Sequence, residues 1–213
     1  MLAHMISTTQ LGLFLAAALI LAFTPGPGIM YVMARTLSGG TSDGIASTLG
    51  TAVGGMVHVV VAAVGLSALL GASAQGFLIV KYIGAMYLVF LGVRSMLSAR
   101  RTLGIPSVRP HGARQAFLEG ILTEALNVKT ALFFLAFIPQ FVNHALPLAP
   151  QFVILGLVCV ALNTAVDCLA VLLASRLAGV FRNSPKPAQY MSLGSGGVLL
   201  GLGAYVALSD TPH

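Results

Sequence analysis

The sequence predicts an all-α polytopic membrane protein, six transmembrane helices arranged as two inverted three-helix halves with the first helix broken. Three observations carry this. Of 213 residues, 57% are hydrophobic and only 8% charged, whereas roughly a quarter are charged in an ordinary soluble domain; so few charges cannot cover a sphere of this size against water. No Asp, Glu, Lys or Arg occurs from Gly44 to Val80 or from Thr130 to Val166, and each stretch exceeds the roughly 20 apolar residues that cross a bilayer as a helix. Finally, a Pro-Gly-Pro run sits inside the first apolar segment, where a straight helix cannot accommodate it.

The spans are predicted at about 9–33, 45–70, 76–97, 116–139, 151–175 and 189–208, joined by short connectors in a single domain, 1–213. The first is retained rather than cleaved as a signal peptide, because no Lys or Arg precedes the apolar run from Leu11 to Phe23. In the third, Lys81 at the outer start and Arg94 near the other end extend the span by snorkelling to opposite interfaces. Arg35, then Arg100, Arg101, Arg109 and Arg114, then Arg176, Arg182 and Lys186 fall on one side; the other side has His4, His144, Asp210, His213 and Lys81. By the positive-inside rule the Arg-rich connector 98–115 is cytoplasmic and both termini face outward. The half-repeats, about 1–97 and 116–213, then have opposite orientation, the parity of an inverted repeat. Membrane orientation accounts for the net charge of +6, and no basic helix or aromatic-interleaved basic run suggests nucleic acid.

The first functional element is Thr24-Pro25-Gly26-Pro27-Gly28, on the cytoplasmic side of the first span's centre. Two prolines remove two backbone donors and clash with the preceding turn, and the glycines loosen the chain, so the span divides into half-helices. The second half begins inside the membrane, and its free N–H groups and positive dipole end offer a place for a carboxylate. Such breaks mark substrate sites in transporters; the plain alternative is a kink that only shapes packing.

Asp167 in the fifth span is a carboxylate near the bilayer centre, which costs about 2.5–3.5 kcal/mol on insertion scales. Asn163 lies one turn away on the same face. Substrate or proton handling competes here with a structural tie to another helix. The fourth span supplies Thr123, Glu124, Asn127 and Lys129. On a regular helix Thr123, Asn127 and Thr130 share a face while Lys129 lies about 200° round from Asn127. Either the backbone is distorted there, or Lys129 meets a different neighbour. Two acids against one base leave a carboxylate without a cation, and burial biases such a group toward its neutral form, as a proton-coupled carrier needs. Asp167 ranks as the exchanger ahead of Glu124, which can pair with Lys129 or reach the interface.

Other features have ordinary explanations. His58, near the middle of the second span, is read as a hydrogen-bonded packing residue rather than a ligand. Cys159 and Cys168 project about 180° apart and about 13 Å along one helix, so they cannot bridge and serve as apolar filler. Gly50, Gly54 and Gly55, with Gly197 and Gly201, give small-xxx-small spacing for close packing within one chain or between chains, which leaves a homo-oligomer open.

Thr24-Pro25-Gly26-Pro27, the run from Lys81 to Leu88 followed by Leu91-Gly92-Val93-Arg94, and the run from Asn127 to Phe134 continuing to Pro139-Gln140-Phe141 together resemble the LysE/RhtB family of amino-acid exporters over nearly the whole chain. The resemblance implies six helices in two inverted halves and export of amino acids or close derivatives from the cytosol of a bacterial cell, across its inner membrane, in exchange for protons. By position it implies that Pro25, Gly26 and Pro27 break the first helix at the site, that Asn127 and Lys129 mark the matching place in the fourth, and that Asp167 is the fifth-span carboxylate. Three positions depart from the family pattern. Gly28 stands where Asn is common, which removes a side-chain hydrogen-bonding group. Val128 stands where Pro is common, which removes the proline reason for a fourth-span break. Glu124 stands where a neutral polar residue is usual, which adds an acid that favours a cationic substrate or alters coupling.

The expected mechanism is alternating access. The cargo's carboxylate meets the N–H groups after Pro27, and its ammonium approaches Asp167, with Glu124 as a second acid. Asn163, Asn127 or Thr24 add neutral hydrogen bonds, and protonation of Asp167 from outside releases the cargo. Expected partners are a small amino-acid substrate, protons and the bilayer, with no cofactor and no resident metal. The rivals are a metal or inorganic-cation exporter using His58, Asp167 and Glu124, a thiol redox carrier, and a structural membrane protein without transport.

Overall fold

The structure, a computed structural model, describes residues 8–68, 74–99, 112–143, 145–176 and 186–208. Both termini and most of the 98–115 connector lie outside the described residues, as do His4, Arg100, Arg101, Arg109, His144, Arg182, Asp210 and His213. Among the described residues there are helices and short turns and no strand. In lipid, backbone polar groups must be satisfied within the segment, which a helix does and an open strand does not.

Helix α1 spans Thr8–Phe23, and α2 spans Pro27–Val61, continued by a π-helical turn, Ala62–Leu66. Next come α3, Ala74–Ala99, and α4, Ala113–Ala125. Helix α5, Val128–Ala136, is followed by a 3-10 turn, Ile138–Phe141. The series ends with α6, Leu148–Arg176, and α7, Lys186–Leu208. Among the described residues, Pro27–Leu66 and Leu148–Arg176 are each long and apolar enough to cross a membrane, and Ala113–Ala125 with Val128–Phe141, bent by 43° at its break, makes a third such span.

Helix α2 is not one rod. Gly40 has φ 80°, in the left-handed region that glycine alone adopts without penalty, and the chain folds back there. Thr36 consequently lies against Gly44, eight residues on, where an unbroken helix would separate them by about 12 Å along its axis. The returning arm packs on α4 almost backbone to backbone: a Cβ on Gly54 would stand 2.5 Å from the Ile121 carbonyl, and one on Gly120 would stand 2.7 Å from that of Ser47. On α7, Gly196 packs closely on α3, with a Cβ there 2.8 Å from the Gly92 carbonyl, whereas Gly197 and Gly201 face open space. The small-residue spacing of Gly50 and Gly54 therefore serves packing within the chain, and that of Gly197 and Gly201 does not.

The larger of two buried clusters is rich in phenylalanine, and a smaller one joins Ala22, Ile29, Met33, Val166 and Ala170. Phe133 and Phe137 stack at 4.7 Å between ring centroids, and Phe14 meets Phe141 edge-on at 5.4 Å. Water expulsion does not select such contacts in hydrocarbon; close packing does. Outward, Val60, Val64, Met86, Leu97, Leu122 and Leu172 are exposed, an apolar surface matched to acyl chains.

Two sequence expectations are corrected. Lys81 is not a snorkelling residue at a rim: α3 starts at Ala74, so Lys81 falls two turns inside the helix and is 1% exposed, with its ammonium 5.5 Å from the Tyr82 ring centroid. Arg94 is exposed. Arg35 does not follow the first span as a connector charge. The helix continues past it, and the buried guanidinium pairs with Glu119 of α4 while the neighbouring Tyr31 hydroxyl donates to the Ala116 carbonyl at 2.8 Å.

Candidate functional site

Two helices stop and restart inside the bundle, and both restarts face one cavity. Thr24, Pro25 and Gly26 are non-helical between α1 and α2. Gly26 is the extended N-cap of α2 with no side-chain capping bond, Pro27 takes the first helical position, and the Met30 N–H already returns to the Gly26 carbonyl. Gly28 and Ile29 thus bring N–H groups with no acceptor inside their own helix.

The second break comes at Leu126 and Asn127 with no proline nearby. Asn127 is an extended N-cap, and its Oδ1 accepts from the Lys129 N–H at 3.1 Å. Its Nδ2 donates to Glu124 Oε2 at 2.9 Å, the Thr130 hydroxyl donates to Glu124 Oε1 at 2.6 Å, and His58 Nε2 binds the Glu124 carbonyl at 2.8 Å. The regular-helix premise fails here, so Asn127 and Lys129 line the same cavity.

Lys129 ties one break to the other. Its ammonium donates to the Thr24 carbonyl at 2.8 Å and the Leu21 carbonyl at 3.1 Å, at the negative dipole end of α1. Gly26 admits it: a Cβ there would stand 3.0 Å from Lys129 Cε and Nζ. The expected pairing of Lys129 with Glu124 is therefore replaced by carbonyl contacts, and Glu124 is neither at an interface nor bonded to a cation; it is buried among neutral donors.

Opposite, α6 presents Asp167, 7% exposed, whose Oδ2 lies 2.9 Å from the Thr51 hydroxyl. That hydroxyl is also 2.9 Å from the Thr48 carbonyl. With a single proton it donates to one at a time, so it can donate to a carboxylate, or accept from a carboxylic acid while donating to Thr48. Asn163 faces the cavity, although its Nδ2 is engaged by the Cys159 carbonyl at 2.9 Å.

Gly28, Glu124, Asn127, Lys129, Asn163 and Asp167 therefore converge on one cavity of about 20 Å³, the room of a single water. Thr24, Pro25, Gly26 and Pro27 do not line it, and the Thr24 hydroxyl is turned to the Ile20 carbonyl. Thr123 points away too, donating to the Glu119 carbonyl. Sequence reasoning missed Thr51, Thr164 and Phe134 in the lining; Thr51 was a polar residue in a long charge-free stretch, but nothing in its spacing named Asp167 as its partner. His58, spent on a backbone carbonyl, is a packing residue here. Cys159 is buried and Cys168 exposed, both free. Among the described residues no three His, Cys, Asp or Glu side chains gather as a metal site would require.

Residues 19–210 match the family described as LysE type translocator. An uncharacterized membrane protein of Vibrio cholerae is 31% identical over 91% of this chain and 94% of its own. A homoserine/homoserine lactone efflux protein of Salmonella typhimurium is 27% identical over 91% and 94% respectively. A leucine efflux protein of Salmonella choleraesuis is 27% identical over 63% of this chain and 64% of its own. No solved structure matches the chain. The sequence match and the apolar helices agree that this is a membrane transporter and not an enzyme: the chain belongs to the LysE type translocator family.

Proposed function

We propose that this protein exports amino acids or close derivatives from the cytosol of a bacterial cell by proton antiport, through alternating access around the cavity between the two helix breaks. The carrying observation is the convergence of two interrupted helices on a buried carboxylate, Asp167, whose partner Thr51 can serve either protonation state. The efflux functions named for the Salmonella relatives support the cargo class.

The cavity, water-sized as it stands, widens on opening to admit cargo, whose ammonium binds Asp167 and whose carboxyl end points to the N–H groups of Gly28 and Ile29. A proton arriving from outside neutralises Asp167, weakens its hold on the ammonium and releases the cargo. Residues 27–39 and α4 approach each other through Tyr31, Arg35, Ala116 and Glu119 on the side of the predicted cytoplasmic connector. Opening there separates a polar clasp, whereas the opposite end is closed by the phenylalanine cluster. The arrangement is read as six crossings in two inverted halves in the inner membrane, termini outside. In support, the first break follows α1 in one half and the second follows α4 in the other, corresponding positions of a repeat.

In proteoliposomes with an imposed pH gradient, Asp167→Asn should abolish proton-driven export, because it removes the ammonium's partner and the titratable group together. Unchanged export with unchanged pH dependence contradicts the proton role.

A further inference from the structure

We infer that Glu124 occupies the place a free substrate carboxylate would take, so that the preferred cargo is an amine whose carboxyl is masked as an amide, ester or lactone; this rests on the site and cargo class proposed above. Glu124 Oε2 stands where a side chain on residue 28 would begin, 2.5 Å from the Cβ position of Gly28. Its two oxygens already take the Asn127 amide and the Thr130 hydroxyl, the side-chain donors nearest the second break, at 2.9 and 2.6 Å. The carboxylate therefore sits between the two helix starts, beside the N-terminal turn of α2 and above that of α5, where backbone N–H groups favour an anion. The chain supplies that anion itself.

Charge points the same way. Lys129, the cation of the cavity, is committed to the Leu21 and Thr24 carbonyls. Asp167 and Glu124 remain as two acids facing one small space. A zwitterion would add a third carboxylate beside them, whereas a singly charged amine without one adds only the complementary charge. An amide, ester or lactone keeps the amine for Asp167 and replaces the competing carboxylate with a neutral acceptor.

The test uses detergent-purified full-length protein and two probes of equal shape, leucine and leucinamide, with ligand-dependent thermal stabilisation as readout. Wild type should bind leucinamide at least about tenfold more tightly than leucine. Glu124→Ala should reverse or erase that ratio by improving leucine, and Gly28→Ala, whose methyl must expel Glu124, should move it in the same direction without removing the acid. Glu124→Gln separates charge from shape: an intermediate ratio is expected. A wild-type preference for leucine, or a ratio unchanged in Glu124→Ala and Gly28→Ala, overturns the inference. If stabilisation by either probe then disappears in Asp167→Asn, the proposed site stands without it. If neither probe stabilises any variant, the site reading falls together with the inference.

Discussion

The two helix breaks are alike in outcome and opposite in cause. The first is written into the covalent chain: prolines at 25 and 27 take two donors from the backbone, and the helix ends at Phe23 because it cannot continue. The second uses ordinary residues. Leu126 and Val128 could sit in a helix without strain, and what interrupts it is a set of partners: Asn127 capping α5, Glu124 drawn back by Asn127 and Thr130, and His58 from another helix sharing the Glu124 carbonyl with the Asn127 N–H. A backbone-coded break tolerates loss of its neighbours, while a partner-coded break depends on each of them. Lys129 joins the two, since a residue of the second break satisfies the carbonyls left by the first.

Substitutions can separate these cases. The largest effect is expected for Lys129→Met, which leaves the buried Thr24 carbonyl without its charged donor. The loss, partly offset because an ammonium is no longer buried, should be about 2–3 kcal/mol by unfolding in detergent, with transport abolished. A melt like wild type would show the tie between breaks to be incidental. Asn127→Ala comes next, at about 1–2 kcal/mol, because it removes the N-cap of α5 and one donor to Glu124 together. If the stability is unchanged, the break does not depend on its cap. Val128→Pro should be the smallest, within about 0.5 kcal/mol of wild type, since position 128 is the first helical residue, where a proline ring fits, and Asn127 already has the extended backbone a following proline demands. A large destabilisation there would mean the Val128 N–H has a structural partner.

The same contrast explains what could be read from the sequence. The all-helical class, the position of the first break and the burial of Asp167 follow from hydropathy, proline chemistry and the cost of charge in lipid, each a local property. Termini of helices were legible only to within several residues: the first arm runs past the predicted limit at 33 to Gly40. The second break is legible only as one of two alternatives, a distorted backbone or a different neighbour for Lys129; the helix does break at Leu126 and Asn127, and Lys129 does turn to the α1 carbonyls, contacts that spacing alone does not reveal. Lys81 was misplaced for a related reason. A lone cation near the end of an apolar run suggests a snorkelling residue, and its burial depends on helices that pattern cannot assemble. Arg35 and Glu119 were separate charges in the sequence and a clasp in the fold.

The most direct test of a site between the two breaks is thermal stabilisation of purified wild type and Asp167→Asn by a panel of amino acids and their amides. At least one compound should raise the melting temperature of wild type, and the shift should vanish in Asp167→Asn, whose ligand-free melt stays close to that of wild type. The same shift in both proteins would place cargo elsewhere and contradict a site built between the two breaks.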